Sequence, residues 1–204
     1  ITPDRGLCGG LITSINRSAA NFILGQSSKP GLICVGRKGT DFMKRTGQDV
    51  KAVFTGMGDY PRFLDTVPIS KIVIDEYTGG TVDAVYLSYT QFVSTMVQRP
   101  VVKPLLPVEP PAVPQSQNVD YIYEPDPATV LSGLLPSFVE MEIYHAVLEA
   151  IASEQSARMV AMRSATDNAQ GLVDDLTLEY NKARQESITK ELLDIAGGVA
   201  ALAD

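Results

Sequence analysis

The sequence predicts an α/β fold in which a mainly parallel sheet, covered by helices, is followed by one long C-terminal helix. Residues 1–126 alternate short β-type apolar runs with polar or helical stretches, a pattern typical of parallel sheets with helices on their faces. From residue 128 onward the helix formers Ala, Glu, Leu, Arg and Met dominate, and no proline follows Pro136. We therefore predict two domains, residues 1–126 and residues 127–204.

The first domain begins with a helix and alternates from there. An amphipathic helix is predicted over residues 9–25, with one apolar face made of Leu11, Ile15, Ala19, Phe22 and Ile23. A second short helix is predicted over residues 37–47. The β-type runs are residues 31–35, 50–55, 82–89 and 101–106.

Residues 69–77 are ambiguous. Their centre, Ile72-Val73-Ile74, is typical of a buried strand, whereas the Gly79-Gly80 pair that follows is an equally good stop for a helix. Both interpretations stay open.

A proline-rich connector, residues 99–120, closes the first domain. Pro107, Pro110, Pro111 and Pro114 lie in it, and this density excludes a helix and allows only extended or edge-strand structure. We expect a short strand at residues 121–123.

Residues 137–203 could form nearly one continuous helix, and its apolar residues recur at heptad steps. The seam positions are Ala165, Ala169, Leu172 and Leu176, then Ile188, Leu192, Ile195, Val199 and Leu202. Gly171 and the polar band at residues 179–186 interrupt the seam. Because this apolar surface needs burial, we expect a partner helix from another chain or from an N-terminal segment before Ile1, and the absence of an initiating Met favours the second source.

Composition excludes several classes of protein. The net charge of −7 argues against a nucleic-acid binder, which needs Lys and Arg to neutralise phosphates. No apolar run approaches the roughly 20 residues that cross a bilayer, so we expect no membrane insertion. Cys8 and Cys34 form neither a disulfide framework nor a zinc pattern.

A phosphate-binding loop is the first chemical site to consider. Gly6, Gly9 and Gly10 open the first helix, where such a loop would lie, but their spacing matches neither nucleotide fingerprint and the phosphate-binding lysine is absent. A tight turn packed against neighbouring backbone is the better interpretation. Cys8, beside this helix start, is expected to be a small buried residue rather than a reactive thiol.

A metal or acid-base cluster is the second site to consider. His145, the only histidine, has Glu142 and Glu149 at helical spacing, but no fourth ligand is evident, and a solvated or partner-facing His145 is favoured. We read Asp174 and Asp175 as a solvated helix face. The residues compose no active site, and we expect no metal, no cofactor and no catalysis by this chain itself.

Five strings of the sequence resemble the gamma subunit of the F-type ATP synthase. They are DRGLCGG (residues 4–10), TGMGD (55–59), YEPDP (123–127), ASEQSARMVAMRSATDNA (152–169) and YNKARQESITKELLDIAGG (180–198), in family order along essentially the whole chain. The resemblance implies a Rossmann-like domain and a long helix that forms half of an antiparallel coiled coil. The other half, the family's N-terminal helix, is expected before Ile1.

The resemblance implies the central rotor stalk of the proton-translocating enzyme. The shaft turns inside a hexamer of alpha and beta subunits and couples rotation of the membrane ring to ATP synthesis or hydrolysis. Five positions match family residues that contact beta subunits or act in coupling: Arg158, Arg184, Gln185, Thr189 and Asp194. Asp194 stands where Glu is common, and Val199 where Ala is usual.

The resemblance also implies contacts at the foot of the stalk. Tyr121, Tyr123 and Glu124 match positions that face the polar loops of the c-ring and the epsilon subunit. For one of the two tyrosines, sheet packing is the competing interpretation. The implied location is peripheral, on the cytoplasmic face of a bacterial plasma membrane.

Two other functions stay open at this point. One is a small Rossmann-type nucleotide-binding protein with a helical oligomerisation tail, and the other is a homodimeric coiled-coil adaptor. Saturable nucleotide binding would support the first, and a stable dimer through the C-terminal helix would support the second.

Overall fold

A computed structural model of the chain describes residues 1–108 and 126–202. Its helices and strands are, in chain order, α1 (Leu11–Leu24), β1 (Leu32–Val35), α2 (Arg37–Arg45), β2 (Val50–Phe54), α3 (Phe63–Thr78), β3 (Val85–Ser94), β4 (Val97–Leu106) and α4 (Pro127–Leu202). The short strand predicted at residues 121–123 lies outside the described residues.

Strands β1 and β2 form the parallel part of the fold. Cys34 lies opposite Val53 and Val35 opposite Phe54, and α2 supplies the connection between the two strands. The sequence pattern predicted both strands and both early helices. This pair places the carboxyl ends of two parallel strands side by side.

Strands β3 and β4 form a hairpin. Two residues, Thr95 and Met96, connect them, and so short a connection permits only antiparallel pairing, with Tyr89 opposite Val101. Among the strands in residues 1–108 and 126–202, β4 pairs only with β3, which explains why Pro100 and Pro104 are tolerated in it. The predicted α/β class with a long C-terminal helix is confirmed, and among the described strands the parallel pairing is confined to β1 and β2.

Helix α3 resolves the ambiguity over residues 69–77. The helix starts with a one-sided cap, in which Asp65 Oδ2 accepts the Arg62 N–H at 2.8 Å while the Asp65 N–H donates to the Arg62 carbonyl at 3.0 Å. It ends at Gly79-Gly80, where Gly80 has a φ of 67° and Thr81 N–H bonds back to the Glu76 carbonyl at 3.0 Å. This is the hydrogen-bond pattern of a Schellman motif. Residues 69–77 are therefore helical, and the glycine pair ends the helix.

Helix α4 begins at Pro127, the first residue of the predicted C-terminal domain and ten residues before position 137, from which the apolar spacing predicts a continuous helix. Asp126 explains the earlier start, since its Oδ1 accepts the Thr129 N–H at 2.9 Å and its Oδ2 accepts the Thr129 hydroxyl at 2.6 Å. Pro127 takes the first helical position, where its missing N–H has no consequence. Pro136 lies inside the helix.

The core lies where one face of α4 meets the sheets and α3. The residues buried together there are Val35, Ile69, Val73, Leu105, Leu106, Val139 and Ile143. They come from β1, α3, β4 and α4, so the early part of α4 is an integral part of the packed domain.

The chain divides into two compact units, residues 1–160 and residues 161–204. The described part of the second unit is the remainder of α4, and its side chains from 162 to 198 are exposed. Within residues 1–108 and 126–202, no helix is both long and apolar enough to cross a membrane. The boundary predicted at residue 126 stays a prediction.

Candidate functional site

The carboxyl ends of β1 and β2 face the first turn of α2, the place where open α/β sheets commonly bind ligands. The backbone N–H groups that would hold a phosphate there already have partners. Arg37 N–H donates to Asp4 Oδ1 at 2.8 Å, Lys38 N–H to the Pro3 carbonyl at 3.1 Å, and Gly39 N–H to Thr2 Oγ1 at 2.8 Å. The chain's own residues 2–4 therefore take the place of an anion.

Gly36 allows this close approach. It has a φ of 94°, and a Cβ atom there would lie 1.8 Å from the Thr2 carbonyl oxygen. A Cβ on Gly39 would lie 2.6 Å from Thr2 Oγ1. Sequence reasoning missed both glycines, although Gly-x-x-Gly directly after an apolar run was the available signal.

The loop at residues 4–10 differs from its prediction. A Cβ atom added to Gly6, Gly9 or Gly10 would meet nothing within 4 Å, so the expected packing against neighbouring backbone is wrong. The turn itself is present, and Gly9 is needed in it because its φ is 58°.

The two cysteines lie inside the first unit. Cys8 is 1% exposed and Cys34 is 9% exposed, which confirms the expectation that Cys8 is a buried residue. Burial raises the pKa of both thiols above their usual value, and the carboxylate of Glu154 raises that of Cys8 further. Neither cysteine has the lowered pKa that marks a reactive thiol.

Residues 4–10 and 55–59 converge on one turn of α4. Asp4 Oδ2 accepts the Gly56 N–H at 2.7 Å, which joins the two loops. Gln155 Nε2 donates to Asp59 Oδ1 at 2.9 Å, and Arg158 Nη2 donates to the Gly6 carbonyl at 3.4 Å. The sequence strings DRGLCGG, TGMGD and ASEQSAR thus meet at one place, which we call the loop junction.

Arg158 differs from the other predicted contact residues. Its side chain is 22% exposed, pairs with Glu154 and donates to Gln155 Oε1 at 3.0 Å. Its partners within the described residues belong to its own unit. A role for Arg158 in coupling stays a prediction.

The remaining predicted contact residues lie in the second unit or outside the described residues. Arg184, Gln185, Thr189 and Asp194 are exposed on α4. Gln185 and Thr189 stand four residues apart on one face of the helix. Tyr121, Tyr123 and Glu124 lie outside the described residues.

His145 lies beside a polar recess of about 220 Å³ between α4 and the hairpin. Glu142, Glu149, Lys103 and Tyr89 line the same recess. A hydrogen bond to Tyr89 is the main cause that raises the pKa of Lys103. Across residues 1–108 and 126–202, no three His, Cys, Asp or Glu side chains are placed to hold a metal ion.

Comparisons with known proteins match almost the whole chain. A family model described as ATP synthase covers residues 1–202. The ATP synthase gamma chain of Dehalococcoides mccartyi strain CBDB1 is 60% identical over 203 residues, which is 100% of this chain and 71% of that relative. The ATP synthase gamma chain of Roseiflexus sp. strain RS-1 is 55% identical over 207 residues, with the same two coverages.

Two solved structures share the fold. The central stalk and c-ring of Tetrahymena thermophila mitochondrial ATP synthase contain a chain with a TM-score of 0.64 and 26% identity, covering 81% of this chain and 74% of that one. A chain of the Euglena gracilis mitochondrial ATP synthase gives a TM-score of 0.69 at 22% identity, covering 98% and 70%. The likeness extends to an organelle enzyme although the sequence relatives named above are bacterial.

Proposed function

This chain belongs to the ATP synthase gamma-chain family, and we propose that it works as the rotor of that enzyme's central stalk. The observation that carries the proposal is a match over residues 1–202 together with the long helix α4. The chain is part of a multi-subunit enzyme. In the proposal residues 1–126 form the domain at the foot of the stalk, and residues 127–204 supply one helix of its shaft.

The exposed seam of α4 supports a coiled-coil shaft. Its apolar side chains keep about half or more of their surface exposed: Leu172 (60%), Leu176 (55%), Ile188 (45%), Leu192 (61%) and Ile195 (65%). At about 25 cal/mol per Å² of apolar surface, covering such a stripe would give a large free-energy gain. An antiparallel partner helix is the proposed cover, because the positions follow heptad steps.

The polar band at residues 179–186 supports a surface that makes transient contacts with neighbouring subunits and releases them during rotation. Its side chains are exposed and mostly hydrophilic. Such a surface forms hydrogen bonds and ion pairs that are individually weak in water. Arg184 and Gln185 in this band, with Thr189, Asp194 and Arg158 along the same helix, are the proposed contact and coupling residues toward the beta subunits.

The proposed mechanism is mechanical. An asymmetric shaft contacts the catalytic sites unequally, so each orientation favours a different set of open and closed beta subunits. Rotation driven by the c-ring then becomes a change in affinity for ADP, phosphate and ATP. The chain contributes no catalytic group in this proposal, and its work is proton-driven rotation at the cytoplasmic face of a bacterial plasma membrane.

The foot contacts are proposed on the resemblance alone. Tyr121, Tyr123 and Glu124 would face the c-ring and the epsilon subunit. Replacing each tyrosine by alanine in the assembled enzyme should reduce proton-driven ATP synthesis without changing hydrolysis by the detached catalytic sector.

Nucleotide binding by this chain is the alternative, and the loop geometry weighs against it. The first turn of α2 donates to Thr2, Pro3 and Asp4, so a phosphate would have to displace a carboxylate and two other oxygens. Titration calorimetry of the chain with ATP and NAD should show no saturable heat. A stable dimer in sedimentation would instead support the alternative of a homodimeric coiled-coil adaptor.

Changes in the polar band test the rotor role. Arg184→Ala and Gln185→Ala in the complete ATP synthase should lower turnover and leave subunit assembly largely intact, because they remove exposed contacts and no core packing. Arg163→Ala and Gln170→Ala, exposed positions on the same helix before the band, serve as matched controls. Unchanged rates of ATP synthesis and hydrolysis in the two band variants would refute this role.

A further inference from the structure

Four hydrogen bonds at the loop junction form a closed circuit through three distant parts of the chain. The Asp4 carboxylate joins residues 4–6 to Gly56 at 2.7 Å, and Asp59 receives the Gln155 amide at 2.9 Å. Arg158 closes the circuit by donating to the Gly6 carbonyl at 3.4 Å and to Gln155 at 3.0 Å. One turn of α4 is therefore tied to two loops that precede it by about 100 residues or more.

Gln155 is the central member of this circuit. Its Nε2 donates to Asp59 and its Oε1 accepts from Arg158, so each neighbour requires the same orientation of the amide. A carboxylate at this position could accept from Arg158 but could not donate to Asp59. Only an amide satisfies both partners.

Arg158 is held on its other side as well. It pairs with Glu154, whose side chain is only 12% exposed, and the arginine side chain is 22% exposed. A change in the geometry of a largely desolvated ion pair costs much free energy, because the two charges are then left without full compensation. The guanidinium group is therefore fixed by Glu154, Gln155 and the Gly6 carbonyl together.

We propose that Asp59 and Gln155 are positioning residues for rotary coupling. Their hydrogen bond holds Arg158 and its turn of α4 against residues 4–10, so that force is transmitted between α4 and the sheet domain without movement at the loop junction. This inference rests on the proposed rotor function. It assigns a mechanical role to two residues that contact neither nucleotide nor catalytic subunit in the proposal.

The exposure of Asp59 makes the proposal testable. Because Asp59 is exposed, losing its hydrogen bond should leave the fold intact and should loosen only the junction. If Asp59 had a mainly structural role, its replacement would instead lower the free energy of unfolding of the whole unit. Local opening and global unfolding are separable by hydrogen exchange.

The first experiment measures hydrogen exchange in the chain alone. Gln155→Met keeps the volume and removes both hydrogen bonds of the amide. Only the bond to Asp59 reaches the loop at residues 55–59, so we expect backbone amides of that loop to exchange about fivefold faster, the change that follows from losing one ordinary hydrogen bond. Asp59→Ala should have the same effect. Asp59→Asn should keep the slow exchange of the unchanged chain, because the Asn oxygen can still accept the hydrogen bond from Gln155. Equal exchange in Gln155→Met and the unchanged chain would overturn the proposal.

The second experiment measures coupling in the complete ATP synthase. Gln155→Met and Asp59→Ala should lower the ratio of ATP-driven proton pumping to ATP hydrolysis while hydrolysis itself persists, and Asp59→Asn should keep the ratio. Gln170→Met is the matched control, since it breaks a Gln-to-Asp hydrogen bond of 3.0 Å to Asp174 that lies wholly within α4. We expect this control to pump normally.

The outcomes separate the inference from the proposed function. Normal pumping by Gln155→Met, in an enzyme that also couples normally with the unchanged chain, would overturn the positioning role and leave the rotor intact. An enzyme that fails to couple even with the unchanged chain would contradict the rotor function itself.

Discussion

Asp4 accepts two backbone N–H groups, Arg37 at the start of α2 and Gly56 in the loop after β2, at 2.8 and 2.7 Å. Each carboxylate oxygen serves a different part of the chain. A hydrogen bond to a charged acceptor is stronger than one between neutral groups, so this one residue fixes the geometry of the junction.

Replacing Asp4 tests that role directly. Asp4→Ala should lower the free energy of unfolding by about 1 to 3 kcal/mol, because both N–H groups lose a charged acceptor. Equilibrium urea unfolding checks this, with Asp41→Ala on the exposed face of α2 as the control. A loss no larger than that of the control would contradict the account of Asp4.

At the scale of single residues, the sequence predicts the loop at residues 4–10 but not the residues that contact it. DRGLCGG and TGMGD resemble strings of the family, and Arg158 matches a family position that acts in coupling. The hydrogen bond between Asp59 and Gln155 spans 96 positions, and no local pattern encodes a contact of that range. The Gly-x-x-Gly pattern marks the position of Gly36, but the approach of Thr2, which makes a glycine necessary there, is a contact between distant parts of the chain that the pattern does not encode.

Helix α3 depends on a cap whose charge can be titrated. The backbone N–H of Arg62 donates to Asp65, and this bond is the main cause that lowers the pKa of Asp65 below its ordinary value of 3.8. A carboxyl group with a lowered folded pKa stabilises the fold above its unfolded pKa. That contribution is lost as the pH falls through the lowered folded pKa.

The pH dependence gives a test at the level of this element. Asp65→Ala should be less stable than the unchanged chain at pH 7, and the difference between the two should shrink as the pH falls below about 4. Urea unfolding at a series of pH values measures it. A difference that stays constant down to pH 2 would show that the Asp65 charge has no part in the cap.

Local patterns predicted the elements better than their pairing. Periodicity located both early helices and the four β-type runs, because side-chain spacing is a property of the segment itself. The antiparallel hairpin was not predicted, since the connection of two residues became evident only when β3 and β4 proved to extend to Ser94 and from Val97. The apolar spacing alone predicts a continuous helix from residue 137, whereas the Asp126 cap starts α4 at Pro127, the first residue of the predicted C-terminal domain.

At the scale of the whole molecule, the chain combines a packed unit with an unburied helix. Residues 1–160 hold the core, whereas residues 161–204 form a separate unit whose described side chains are almost all exposed. An exposed apolar seam is unfavourable in water and becomes understandable if other polypeptide covers it. The family relationship supplies the proposed cover, which is the rest of a rotary stalk.

Direct observation of rotation tests the central claim. This chain would replace the matched residues of the Dehalococcoides mccartyi gamma chain, and a probe would be attached through Met96→Cys at the hairpin tip, where Met96 is 74% exposed and both native cysteines are buried. With the catalytic hexamer immobilised and ATP added, we predict sustained rotation of the probe in one direction. Normal ATP hydrolysis with a stationary probe would contradict the rotor function.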